Sequence, residues 1–165
     1  MNFFRRIVVV EGTFTRPANT TTYTAGDVMG DATTGVVTMV DCARVTGGYG
    51  FISSIILVDS SNETLNLDAD IFVFTTAPAA QADNVAFAAT DAEMLECCGV
   101  ASIVGTDGKE STINVTYNAI MPSPGKIDFV CEAGVDNLFF LMVARNAYIP
   151  TSAEVYTFRA FIYQA

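Results

Sequence analysis

Apolar and polar residues alternate along most of this chain with a period of two, the period of a strand covered on one side. Over 35–46, Val37, Met39, Asp41, Ala43 and Val45 fall on one side, and Val36, Thr38, Val40, Cys42 and Arg44 on the other. Asp41 interrupts the first set, which predicts a bulge or an edge there. Gly47-Gly48 marks a turn, 49–59 a second strand and 71–76 a third. Further strands are predicted over 100–104, 111–121, 127–131, 137–147 and 155–163, with turns at 106–108, 122–125 and 150–153. The segment 91–98 (DAEMLECC) reads as the one short helix, with Asp91 as N-cap, Met94 and Leu95 facing inward and Gly99 as its stop.

This spacing predicts an all-β fold: an antiparallel two-sheet β-sandwich, jelly-roll-like, with an extended N-terminal arm and one short helix. Residues 1–26 form the arm, with a possible first strand at 6–14, and 27–165 form the sandwich. The Thr-rich run after Glu11 and the breakers Pro17 and Gly26 favour extended chain in the arm.

Several strands are apolar on consecutive positions. Phe139-Phe140, Phe161-Ile162 and Ile55-Ile56 must each point one side chain to either face of its sheet. Strands apolar on both faces are buried on both. Phe139, Phe140, Phe161 and Ile162 are therefore expected at a subunit interface, the alternative being cover by the arm or the helix.

Composition narrows the class. The 19 Thr, 18 Val and 11 Ile stand against 6 Leu and 2 Lys, which argues against a helical bundle. Eight Lys and Arg against 18 Asp and Glu give a formal net charge of −10, the wrong sign for a nucleic-acid surface. The charge is also divided. Arg5, Arg6 and Arg16 against Glu11 make residues 1–16 carry +2, leaving −12 on the rest. A cationic, apolar segment on an anionic body reads as a docking element through Phe3, Phe4, Arg5, Arg6, Arg16 and Tyr23, or as an ordinary first strand with its Arg tips in solvent.

The chain has no His, which removes Ser-His-Asp and Cys-His catalysis. Phosphate-binding glycine motifs are absent, and Gly47-Gly48-Tyr49-Gly50 precedes a strand and reads as a hairpin turn. Asn66, Asp68 and Asp70 alternate but lack the Gly and Glu of a calcium loop. Cys42, Cys97, Cys98 and Cys131 have no zinc or disulfide spacing and read as packed thiols. A carboxylate-pair hydrolase is the enzyme class that survives, and Tyr23, Tyr49 and Tyr148 are the aromatic residues near turns that could serve a glycan. No catalytic residue, metal or cofactor is assigned. The start, MNFFRRIVVV, is too short in its apolar run for a signal peptide, and no segment is long enough to span a membrane.

Several segments resemble a group of tailed-phage virion structural proteins. They are Tyr23-Thr24-Ala25-Gly26-Asp27-Val28; Gly48-Tyr49-Gly50 before a strand ending at Leu57-Val58-Asp59; Ile71-Phe72-Val73-Phe74 with Pro78 and 82–87 behind it; and Ala147-Tyr148-Ile149-Pro150 followed by Val155-Tyr156-Thr157-Phe158. The resemblance covers most of the chain from residue 23, and Cys97-Cys98 departs from it. It implies a capsid decoration (cement) protein, made in the host cytoplasm and carried on the outer surface of the virion. Its partners would be the major capsid protein and other copies of itself, as a homotrimer, with no nucleic acid or membrane. A tail or head-fibre module for host-surface glycans is the alternative.

Overall fold

The alternating segments build two antiparallel sheets packed face to face. The structure, a computed structural model, describes residues 6–61 and 66–165. Its strands are β1 (Arg6–Thr15), β2 (Val28–Met29), β3 (Val36–Met39), β4 (Tyr49–Asp59), β5 (Ala69–Phe74), β6 (Cys97–Ile103), β7 (Lys109–Glu110), β8 (Val115–Asn118), β9 (Ile127–Val130), β10 (Leu138–Ala144) and β11 (Val155–Gln164), with one helix, α1 (Asp91–Leu95). The first sheet has the order β1-β11-β4-β8-β7, and β9 pairs with the other end of β4. The second has the order β2-β10-β5-β6, and β3 pairs beside β2 on the same edge of β10. The chain thus forms the all-β two-sheet sandwich that the alternation predicts.

The inner faces meet in one core. Phe14 on β1 and Phe158 on β11 come from the first sheet, and Phe140 on β10 from the second; the Phe140 and Phe158 rings meet edge-on at 5.7 Å. A bulge in β4 sets which of its residues reach that core. Ile162 pairs with Ile52 but Phe161 pairs with Ser54, so Ser53 is the extra residue. The inward set therefore changes parity along the strand, from Ile52 to Ile55 and Leu57. Gly50 precedes the bulge, and a Cβ there would collide with the Tyr163 carbonyl in the neighbouring strand. Gly50→Ala is expected to cost about 1–3 kcal/mol in urea unfolding, the usual penalty of overpacking.

Three sequence expectations are corrected. The strand over 35–46 stops at Met39, because Asp41 takes a left-handed φ of 58° and Cys42 and Ala43 both donate to the Asp136 carbonyl instead of to a strand. The helix is shorter than 91–98, and its N-cap is Thr90, not Asp91, in a reciprocal capping box with Glu93. Met94 and Leu95 face out, Leu95 at 86% exposure. Gly99 is not a helix stop but part of β6, where an added Cβ would press on the Ile127 side chain. The long strand over 111–121 reduces to β8; Val115 and Tyr117 are buried, whereas Ile113 is exposed.

Residues expected as an arm are extended but built into the sandwich. β1 pairs with β11 over its whole length, from Arg6 opposite Gln164 to Thr15 opposite Val155. Val10 and Phe14 are core residues. Residues 6–15 are thus an ordinary strand at the sheet edge. Tyr23, further on, bridges to Tyr148.

The outer face of the second sheet is covered. Val28, Phe74, Leu141 and Val143 form a second buried cluster there, with Phe72, Phe87 and Phe139 packed around it. The cover is the connection between β5 and α1, whose Phe87 ring lies 4.9 Å from that of Phe72. Its backbone is tied to the sheet edge by Val28 N–H to Val85 O at 2.8 Å and Phe87 N–H to Gly26 O at 2.8 Å.

Candidate functional site

The first sheet carries no such cover among the described residues. Its register aligns an apolar patch across four strands on the solvent side. Ile7 lies beside Tyr163, Tyr163 beside Phe51, Val9 beside Phe161, and Tyr49 beside Val130. Ile7 and Tyr49 are each 58% exposed and Val130 64%, while Phe51, Phe161 and Tyr163 are half-buried against one another. Phe51 and Tyr163 stack at 4.6 Å and 13°. Lys126 sits 5.1 Å over the Phe51 ring and pairs with Asp128 at 2.6 Å. Across the sheet, Glu11 and Arg159, paired at 2.7 Å, border the patch. Strands provide this face because alternate residues point outward, so one row of β1, β11 and β4 fills the core while the next is presented to solvent.

A cavity of about 700 Å³ adjoins the patch, lined by 6–11 of β1 together with Val40, Asp41, Ala43, Arg44, Asp136 and Gln164. Six consecutive residues of one strand line it, whereas a strand face would contribute every second one. The groove therefore runs along the edge of β1 that no described strand pairs with.

Two buried polar clusters occupy the end of the sandwich where 16–23, 59–61, 83 and 148–154 meet. In the first, Arg16 donates to Asp83 Oδ2 at 3.0 Å, and its Nε contacts the Tyr23 hydroxyl. The Tyr23 hydroxyl in turn donates to Asp83 Oδ1, as does the Gly30 N–H at 3.1 Å. Arg16 also reaches the Asn19 and Thr151 carbonyls, each at 3.3 Å. Burial alone would lower the Arg16 pKa, but its bond to Tyr23 and the charge of Asp83 outweigh burial and raise it. In the second cluster, Asp59 and Glu154 lie together beneath Tyr148 and Tyr156. Burial, then the hydrogen bond and charge of Glu154, push the Asp59 carboxyl up to about 8. Burial first, with these carboxylates adding to it, also pushes Tyr117, Tyr148 and Tyr156 upward. Paired acids are what a hydrolase uses, but these two lie in the interior, and neither lines the cavity along β1.

The residues singled out from the sequence divide between surface and interior. Phe3, Phe4 and Arg5 lie outside the described residues. Arg6 is exposed at the start of β1 and lines the groove. Arg16 and Tyr23, expected on a docking arm, are interior: the guanidinium is held by Asp83, and Tyr23 stacks against Tyr148 at 6.3 Å. Phe140 and Ile162 are core residues, buried within the single chain and not at a subunit interface. Phe139 is packed beneath the β5–α1 connection, which supplies the cover expected of the arm or the helix. Phe161 lies on the exposed patch. Asp68 accepts from Gly105 N–H at 2.8 Å, and Asp70 from the Ser102 hydroxyl at 2.7 Å, so both tie strands together. The four cysteines are free thiols, Cys42 and Cys131 buried, and burial pushes Cys42 and Cys98 up to about 12.

Sequence reasoning missed Ile7, Val9, Tyr49, Phe51, Val130 and Tyr163 as one surface. Each has a local signal, an apolar residue on the outward parity of its strand, but their adjacency comes only from the sheet order. Compared with models of known protein families and with characterised proteins, the sequence matches none.

Proposed function

We propose that this chain is a virion structural protein that works by contact: a decoration protein that docks as an oligomer, read as a trimer, on the outer surface of a shell of major capsid protein. The observation that carries this reading is the patch of Ile7, Val9, Tyr49, Phe51, Val130, Phe161 and Tyr163, an apolar surface of the kind that marks a protein interface. The strand order supports it. β11 lies between β1 and β4 in one sheet, and β10 between β3 and β5 in the other, as a jelly roll would require. So do the resemblance to tailed-phage virion proteins and the acidic body, which keeps such a protein off packaged DNA. Each copy would bury one apolar face, and an oligomer would multiply modest contacts through effective concentration.

The double variant Tyr49→Glu with Phe161→Glu is expected to remain folded and to lose at least about 100-fold in co-sedimentation affinity for assembled shells. That is the scale for desolvated aromatic anchors in an interface. Unchanged binding by a folded double variant would remove the patch from the interface. A second reading, a tail or head-fibre module for host-surface glycans, draws on the same face, where Phe51 and Tyr163 stack beside Asp128, Gln164 and Tyr49. A glycan array without hits at high protein concentration would dismiss it.

A further inference from the structure

Asp59 ends β4 and Glu154 immediately precedes β11, with 1% and 2% of their surfaces exposed. Ser61 bridges the two carboxyls, its N–H giving to one and its hydroxyl to the other. Two buried acids side by side without a cation repel when both are ionised, which favours one proton held on the pair. Among the described residues, their hydrogen-bond partners are neutral donors. The Ser61 hydroxyl gives to Glu154 Oε1 at 2.6 Å, the Tyr148 hydroxyl to the same oxygen at 2.9 Å, and the Thr151 N–H to Oε2 at 3.2 Å. Ser61 N–H gives to Asp59 Oδ1 at 2.8 Å. Tyr117 faces the pair from β8 and Tyr156 from β11, both phenols. Among the charged groups around them, Glu110 and Asp68 are anions felt by Tyr117, and the Arg16 guanidinium is committed to Asp83. Among the described residues, no ion pair reaches either carboxyl.

We propose that Asp59 and Glu154 form a proton-held latch: one shared proton fastens the end of β4 to the turn before β11, and its loss unfastens this end of the sandwich. The same turn holds several segments. Ser60 N–H donates to Val155 O at 2.9 Å and Arg16 N–H to Glu154 O at 2.9 Å, while Tyr148 ties the turn to Tyr23. With both acids ionised, two negative charges face each other in the interior, so 59–61 and 148–154 separate first while the core strands stay paired. Burial of two adjacent acids without a cation sets the direction, and it pushes the Asp59 carboxyl from an ordinary 3.8 up to about 8. Folding retains the proton, so the stabilising contribution of the pair is complete below the ordinary carboxyl value and is lost as pH rises through about 8. The latch is closed at neutral pH and opens under alkaline conditions.

Two measurements on the full chain test this. In infrared spectra at about pH 6.5, ordinary carboxyls are ionised, so a protonated-carboxyl C=O band is expected in the wild type. It should titrate away near pH 8 and be missing from Asp59→Asn, where an amide keeps the hydrogen bonds without the acid. In hydrogen exchange, the Ser61 and Thr151 amides are expected to lose at least about tenfold in protection by pH 9.5, after correction for intrinsic rates, while β10 amides keep theirs. Asp59→Asn should hold that protection. Overturning results are the absence of a protonated-acid band in the wild type at pH 6.5, its disappearance below pH 6, or equal loss of protection in wild type and variant. Should Asp59→Asn fail to fold, Glu154→Gln takes its place, and the wild-type infrared titration decides without either.

Discussion

Replacing Asp83 by Ala is expected to lower the free energy of unfolding by about 3–5 kcal/mol, the range seen when one partner of a buried ion pair is removed. Arg16 has no solvent to turn to, since its side chain is fully covered and that of Asp83 is 3% exposed. The carboxylate answers three donors at once: the guanidinium, the Tyr23 hydroxyl and the Gly30 N–H. Without it, a buried cation, a phenol and an amide all lose their acceptor. For a chain of this length, each kcal/mol corresponds to about 2–4 °C in Tm, so a fall of roughly 10 °C should appear in thermal unfolding. The double replacement Arg16→Met with Asp83→Leu is expected to recover most of that loss, because it removes the stranded charge along with its partner. A loss below about 1 kcal/mol in the single variant would mean that water or another acid replaces Asp83, and that the network does not pin the segments it joins.

The Arg16 network also shows where the sequence stops being legible. From the sequence Arg16 reads as a solvent-facing charge on an arm, because nothing within a strand's length of it is acidic except Glu11. Its partner lies 67 positions away in a different connection. No local period encodes such a pairing. The same holds for Asp59 and Glu154, each an isolated acid at a strand boundary until the fold sets them together. What local pattern does encode is the strand itself. The pattern bounds β4 at 49–59 because its apolar run sits between Gly47-Gly48 and the polar residues that begin at Ser60. The pattern over 35–46 is longer than the strand because the alternation continues past Met39 although the chain turns at Asp41, where the backbone, not the side-chain pattern, changes hand. Helical periodicity points Met94 and Leu95 inward, yet both are exposed. A helix of 5 residues running straight into β6 has no inward face to offer them.

Phe158→Ala and Phe161→Ala, three positions apart on β11, are expected to separate the fold from the contact surface. Phe158 is fully buried, packs against Phe14 from β1 and meets Phe140 of the opposite sheet, so it joins the two halves of the sandwich. Truncating it removes a large apolar side chain and leaves a cavity that neighbours on two sheets cannot both close, a cost of about 3–5 kcal/mol. Phe161 stands on the opposite face, beside Val9 and beneath the Arg159 guanidinium at 6.0 Å. Its truncation exchanges half-exposed ring for solvent and is expected to change unfolding by about 0.5 kcal/mol or less, as for substitutions away from the core. Urea unfolding of the two variants therefore checks the parity of β11 directly. Co-sedimentation of the same variants with assembled shells checks the proposed contact: if the outer face carries it, Phe161→Ala binds more weakly while its stability holds. Phe158→Ala, by contrast, keeps its shell binding at low temperature and loses stability. Equal stability losses would place both side chains in one core and contradict the alternation on which the sandwich rests. Unaltered shell binding by Phe161→Ala would move the contact off this face.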